Sequence, residues 1–397
     1  MSFTSARDLW LSVGARGVSL LGDEAALIAL TLRVHDAGGG PGAVAALFVA
    51  GMVPLVACAP LAGRLVDRYN SRPLLLWSGL AQAALCVVLA GVHGVPITLA
   101  LVAALGAGQA VNGATWQALL PGLVGPERLP TVLGLSQSAR TAAGIVAPAI
   151  AGVLTGRYGA SVPLLLSAAT FLAVTAAGVA VRTRRTASSS NGPMRGGYAI
   201  VRDDGALVTL LALLGGFIVL GAMVNVVDVF LVRDTLHASA TWYGLVGGIW
   251  AVGMLLGSLA GGRWHSQRAL IRVIVWSATV LSLAMAGYAA APTVAWLLPM
   301  AVAGGAANGL LNLGTSTMIM LRAPAEARGR IAATVNAVTS AALIGAYLLG
   351  GVLAGVATPR QMFLAAGLLG LLAPIAGGGR LARAAAYQPR PATLLSR

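Results

Sequence analysis

Apolar residues run along this chain in blocks of twenty or more, separated by short polar stretches, from residue 9 to about residue 380. A helix rises about 1.5 Å per residue, so roughly 20 apolar residues cross the hydrocarbon core of a bilayer. On that rule the pattern predicts twelve spanning helices, near 9–34, 42–64, 73–93, 96–120, 131–156, 161–181, 206–232, 242–263, 269–290, 294–320, 330–356 and 360–380. The blocks leave no room for a domain outside the membrane. Pro54 and Pro148 fall inside predicted helices 2 and 5 and should kink them. The run GVHGVPI at 91–97 makes a tight turn between helices 3 and 4.

Composition points the same way: 58% of residues are hydrophobic and only 9% charged, with a mean hydropathy of +0.86. The start, MSFTSARDLW, runs into an apolar stretch without an early small-residue cleavage site, so a retained first helix is expected and no signal peptide. A net charge of +15 would suggest nucleic acid on a globular surface. Here all 26 basic residues are arginines gathered in short clusters between apolar blocks, which makes them markers of topology and excludes nucleic acid as a partner. Clusters around Arg64 to Arg72, Arg182 to Arg202, Arg263 to Arg272, Arg322 to Arg330 and Arg380 to Arg397 fall on one side. Arg33, Arg157, Arg233 and Arg360 fall on the other. Cytoplasmic loops retain basic residues, so both termini are expected in the cytoplasm, with the chain a multi-pass protein of the inner (plasma) membrane.

The longest polar break, from 182 to 205, is rich in Ser, Gly and Arg. It predicts a bundle over 1–181, a cytoplasmic linker over 182–205, and a second bundle over 206–397 with a short basic tail. The two parts resemble each other. ACAPLAGRLVDRYNSR from Ala57 lies over LLGSLAGGRWHSQR from Leu255, where Ala260 stands 198 residues after Ala62. QSARTAAGIVAPAIAGVL lies over NAVTSAALIGAYLLGGVL, where Gly351 stands 199 residues after Gly152. Two parallel six-helix repeats describe an all-α transporter architecture.

The residues also carry a family resemblance. GRLVDRYNSR, Gly63 to Arg72, is similar to the loop between helices 2 and 3 of the major facilitator superfamily, of the form G-x-L-a-D-r-x-G-r-k. Gly63, Leu65, Asp67, Arg68 and Arg72 match, while Asn70-Ser71 replaces the usual Gly-Arg pair. The second copy, GGRWHSQR, has no aspartate, an asymmetry that is also familial. GIVAPAIAG, Gly144 to Gly152, resembles the helix 5 antiporter motif through Gly144, Pro148 and Gly152, with Ala147 in place of a glycine. LLGDEAALIAL, QALLPGLVGPERLPTVLG and GGYAIVRDDGALVTLL look like the exporter branch that includes siderophore and macrolide exporters. The resemblance spans essentially the whole chain. It implies the major facilitator fold, twelve helices in two pseudo-symmetric six-helix bundles, and a monomer.

Within that frame the charges acquire roles. Asp67, with Arg68 and Arg72, can pair with arginine or with helix N-termini and so latch the two bundles together at the cytoplasmic face. Charge within the bilayer is costly unless it meets a cavity or a partner. Helix 1 carries Asp23 and Glu24 side by side, about 100° apart around the axis, so one of them can point at the bundle interior. Asp23 is favoured as the proton-coupling carboxylate, Glu24 is second, and Arg140 on helix 5 is the natural partner. Asp228 on helix 7 belongs to the same set, although its place near the helix end favours outer water. Gln109, Asn112 and Trp116 on helix 4, Asn225 on helix 7, Asn308 and Asn312 on helix 10, and Asn336 on helix 11 outline a substrate cavity. The arginine that many drug antiporters carry in helix 4 is absent.

Cys58 and Cys86 sit in apolar blocks, and the four histidines occur singly, so neither a disulfide nor a metal site is expected. No nucleotide-binding loop or nucleophile motif occurs, so no cofactor and no enzymatic activity are expected. The expected function is proton-coupled efflux of an amphipathic small molecule by alternating access, with small molecule, protons and lipid as partners. Proton-coupled uptake and a non-transporting membrane protein are the alternatives.

Overall fold

The computed structural model describes residues 3–124, 129–180, 202, 204–264, 266–322 and 328–386. These residues form thirteen α-helices and no strand. The first group is α1 (Phe3–Asp36), α2 (Pro41–Ala57), α3 (Ala59–Arg68), α4 (Ser71–Gly91), α5 (Val95–Val124), α6 (Leu129–Tyr158) and α7 (Ser161–Ala180). The second is α8 (Gly205–Phe230), α9 (Ala240–Gly261), α10 (Gln267–Ala289), α11 (Val294–Arg322), α12 (Arg328–Leu353) and α13 (Pro359–Ala386). A π-turn, Leu231–Thr235, extends α8.

Twelve rods result because α2 and α3 are one span bent by 44°. Eight helices are long and apolar enough to cross a membrane, or nine with that bent pair. Helix α1, with two acids at mid-length, belongs to the remainder. Two sequence expectations need correction here. The break in the second span falls at Cys58 and not at Pro54, because the Pro54 carbonyl still accepts from Cys58 N–H at 2.8 Å and Pro60 opens the next helix. Several helices also outrun their apolar blocks, α1 starting at Phe3 and α13 reaching Ala386, where the added residues LARAAA are good helix formers.

The pairing of helices displays the duplication. Helix α1 packs on α6 and α7, α4 on α5 and α7, and α2 on α5. The same pattern recurs as α8 on α12 and α13, α10 on α11 and α13, and α9 on α11. The bundles meet along two seams, α6 on α9 and α2 on α12, which exchange places under the pseudo-twofold. Small residues make the first seam possible. Gly152 and Gly244 approach so closely that a Cβ on either would lie 2.7 Å from the other's Cα. In the second seam Phe48 stacks on Tyr347, with ring centroids 4.6 Å apart, and Gly351 faces Ala45.

Candidate functional site

The named seam contacts lie toward one end of the molecule, where α1 ends and α8 passes into its π-turn. Ion pairs join the bundles there. His35 Nδ1 is 3.0 Å from Asp36 Oδ1, and His35 Nε2 is 2.8 Å from Asp234 Oδ1 in the other bundle. Arg233 completes the crossing, 3.3 Å from Asp36 Oδ1. A neutral imidazole donates from one nitrogen only, so both histidine contacts are hydrogen bonds when the ring carries two protons. Arg33, one turn earlier, ties α1 to its own bundle through the carbonyls of Leu89 and Val92 and the Ser161 hydroxyl. At the opposite end Asp67, Arg68 and Arg72 are exposed, with Arg68 5.8 Å over the Tyr69 ring. A Cβ on Gly63 would meet nothing within 4 Å. Arg322 pairs with Asp204 at 2.9 Å within the second bundle.

Between those ends, inside the second bundle, lies a cavity of about 370 Å³. Helices α8 to α13 all contribute to its wall. Asn225 and Asp228 from α8 and Asn308 and Asn312 from α11, expected from the sequence at a cavity, line it together. Asp228 is the surprise. Its Oδ1 is closed to solvent and has no hydrogen-bond partner among the described residues, so the outer-water expectation is overturned. The helix carries the residue past the seam into the bundle interior, where α8 faces α12 and α13. Tyr243 and Tyr288 lie within electrostatic reach of its carboxyl. Asn225 hydrogen-bonds Tyr347, and Asn312 Nδ2 donates to Asn308 Oδ1 at 2.7 Å and to its carbonyl at 2.9 Å.

Sequence reasoning missed the aromatic wall: Phe217, Trp250, Tyr288 and Phe363. Four of the nineteen lining residues are aromatic, in a chain where aromatics make up 5%. That enrichment is invisible along the chain because each ring comes from a different helix.

The remaining candidates stand elsewhere. Asn112 Nδ2 donates to Gln82 Oε1 at 2.9 Å, inside the first bundle. Trp116 is buried, Gln109 is half-buried and Asn336 is exposed, and none of the three lines the cavity. Asp23 and Glu24 are both half-buried. Asp23 acts electrostatically on Cys86 of α4, in its own bundle, whereas Glu24 acts on Tyr347 of α12, across the interface. Pro148 and Gly152 form the α6/α9 seam, while a Cβ on Gly144 would meet nothing within 4 Å. The side chain of Arg140 lies outside the described residues. A second hollow of about 530 Å³, between α10 and α11, contains Arg272 but no acid and no amide. No metal-ligating cluster occurs among the described residues.

Comparisons with known proteins bear on this geometry. A family profile described as Major Facilitator Superfamily matches residues 13–234 and again 205–394. Macrolide efflux protein A of Streptococcus pyogenes is 22% identical over 296 residues, covering 72% of this chain and 71% of that protein. A crystal structure of a bacterial homologue of the iron transporter ferroportin, in an inward-facing state, superposes with a TM-score of 0.75 at 15% identity, covering 98% of this chain and 100% of the other. The nucleoside transporter NupG superposes with a TM-score of 0.74 at 13% identity, covering 96% and 100%.

Proposed function

The chain belongs to the major facilitator superfamily, and from that premise we propose that it is a proton-coupled exporter of an amphipathic small molecule. That it is a multi-pass membrane transporter follows from the family and the fold. The observation that carries the export proposal furthest is the cavity of about 370 Å³, apolar over most of its wall, with a carboxyl group and three amides converging on it. The similarity to a macrolide efflux protein supports the outward direction.

The arginine distribution supports placing the His35 end outside and the Asp67 end in the cytoplasm of a plasma membrane, with both termini inside. In that orientation the bundles are drawn together on the outer side. Proton-driven exchange then runs in two strokes. A proton reaches a membrane carboxyl from outside, and cargo enters the cavity from the cytoplasm. The carboxyl groups assigned to proton coupling are Asp23, Glu24 and Asp228, with Arg140 as partner. Glu24 acts electrostatically on Tyr347 across the interface, which supports it as a link between bundles. Gly63, Asp67, Arg68 and Arg72 would latch the cytoplasmic side when the outer side opens. Residues 1–181 and 206–397 act as the rocking units, a single copy sufficing.

Reconstitution into proteoliposomes with an imposed pH gradient tests this. Export requires that candidate amphipathic compounds move against the direction of proton flow, and that Glu24→Gln uncouple the two. Compound moving with protons would replace the proposal by uptake. Transport unaffected in Asp23→Asn, Glu24→Gln and Asp228→Asn proteins alike would remove the coupling assignment.

A further inference from the structure

The charge of the cargo can be read from the cavity wall. Its nineteen lining residues include no arginine, lysine or histidine, and one carboxylate, Asp228. Two of the amide donors at the cavity are turned to other acceptors. The Asn312 amide donates twice to Asn308, and Asn225 is engaged with Tyr347. Asp228 Oδ1 is therefore a buried acceptor that receives no hydrogen bond from any described residue. A buried ionised oxygen without a partner is strongly unfavourable, so this group is neutralised either by a proton or by a counter-charge on something that enters.

The rings around it have the complementary property. Trp250 meets Tyr288 edge to face, with centroids 6.4 Å apart and planes at 88°, and Tyr288 stacks on Phe363 at 5.2 Å. Aromatic faces are the negative ends of their quadrupoles and attract cations within about 6 Å. An anion would meet a carboxylate in an aromatic-lined wall with no cationic donor to offset it. A polyhydroxylated neutral molecule would find the Asn312 and Asn225 amides already committed and a mostly apolar wall.

We propose that this cavity selects a lipophilic cation, an amine or quaternary onium group with an apolar body, with Asp228 as its counter-ion and Trp250, Tyr288 and Phe363 as its aromatic seat. The proposal deepens the transport reading and rests on the cavity being the cargo site.

Tetraphenylphosphonium and tetraphenylborate have one shape and opposite charge, which makes them suitable probes. Equilibrium dialysis against the purified full-length protein should give saturable binding of the phosphonium and none of the borate. Asp228→Asn should weaken phosphonium binding at least about tenfold, while Asp228→Glu retains most of it. Thermal unfolding of each variant without ligand controls for folding. Equal binding of the two probes, no saturable phosphonium binding, or wild-type affinity in Asp228→Asn would each overturn the proposal. Should Asp228→Asn fail to fold, the contrast between probes on the wild-type protein decides alone. Reconstituted vesicles separate this from the transport reading. Export of an uncharged compound by a protein that ignores the phosphonium leaves transport standing and removes the cation site. Saturable binding through Asp228 without any export does the reverse.

Discussion

The two bundles repeat one packing plan but use their polar residues in opposite ways. In the first, Asn112 is bonded to Gln82 across α5 and α4, and Arg33 holds two carbonyls and a hydroxyl where α1, α4 and α7 converge. These polar side chains fasten helices. In the second, Asp228, Asn225, Asn308 and Asn312 stand around a cavity, and the Asp228 Oδ1 receives no hydrogen bond from any described residue. Gln82 Nε2 and Trp116 Nε1 in the first bundle also lack partners among the described residues. Both are uncharged donors, however, and neither lines the cavity of Asp228. An unsatisfied buried group costs about 1–3 kcal/mol, and more when charged. Duplicated scaffolds can therefore divide labour, the Asn112–Gln82 pair and Arg33 of one copy serving rigidity while the matching class of residue in the other stands around a cavity.

The sharpest separation comes from Asp228→Asn set beside a change in the first bundle. Removing one partner of a desolvated charge pair costs about 2–5 kcal/mol of interaction, so transport of a cationic cargo should fall by roughly thirtyfold or more. The unfolding temperature of the empty protein should hold or rise, because an uncompensated charge has gone. A variant that lost both stability and transport would make Asp228 a fastener like those of the first bundle, and the contrast would fail.

Arg33→Met is the converse. It strips hydrogen bonds from Leu89 O, Val92 O and Ser161, where hydrogen bonds to a charged donor are worth about 1.5–3 kcal/mol each and the carbonyls can recover part of that from water at this half-exposed site. A loss of about 2–4 kcal/mol is expected in denaturant titration of the purified protein, with phosphonium affinity unchanged. Smaller again is the amide pair. Either Asn112→Leu or Gln82→Leu should cost about 1–2 kcal/mol by leaving the other amide unbonded, whereas the double variant should return close to the wild type. Additive losses in that cycle would mean that the two amides act independently, contrary to the 2.9 Å bond between them.

How much of this was visible in the chain depends on the range of the physics involved. The twelve spans were legible because lipid imposes a length on every helix, and the repeat was legible because duplication preserves spacing. Asn225, Asp228, Asn308 and Asn312 stood out because amides and acids in apolar blocks are rare. Their division from Asn112 and Trp116 was not visible, since all six look alike until the helices are assembled. The aromatic wall gave no signal for the same reason. Trp250 and Phe363 read as ordinary spanning residues until α9 and α13 bring them beside Tyr288. The clamp at the His35 end was missed although a clue existed. Arg33 and Arg233 are two of the few arginines on the sparse side, and each has an acid within three positions.

That clamp is where the bundles contribute alike, one base and one acid apiece: His35 and Asp36 from the first, Arg233 and Asp234 from the second. It should carry the smallest effect of the set. Asp36 and Asp234 are about half exposed, at 49% and 56%, and exposed pairs are worth about 0–1 kcal/mol and are screened by salt. Asp234→Asn or His35→Gln should therefore shift the population toward an opened His35 end by up to about fivefold, and less in high salt. Spin labels on cysteines introduced at the exposed His93 and Thr293, with Cys58 and Cys86 replaced, would report the separation of the bundles at that end. If neither substitution moves the distance distribution at low ionic strength, closure rests on the Gly152/Gly244 and Phe48/Tyr347 seams and the Arg233–Asp36 pair. If both move it while leaving phosphonium binding to Asp228 intact, the gate and the receptor are separable parts, the gate shared between bundles and the receptor owned by the second.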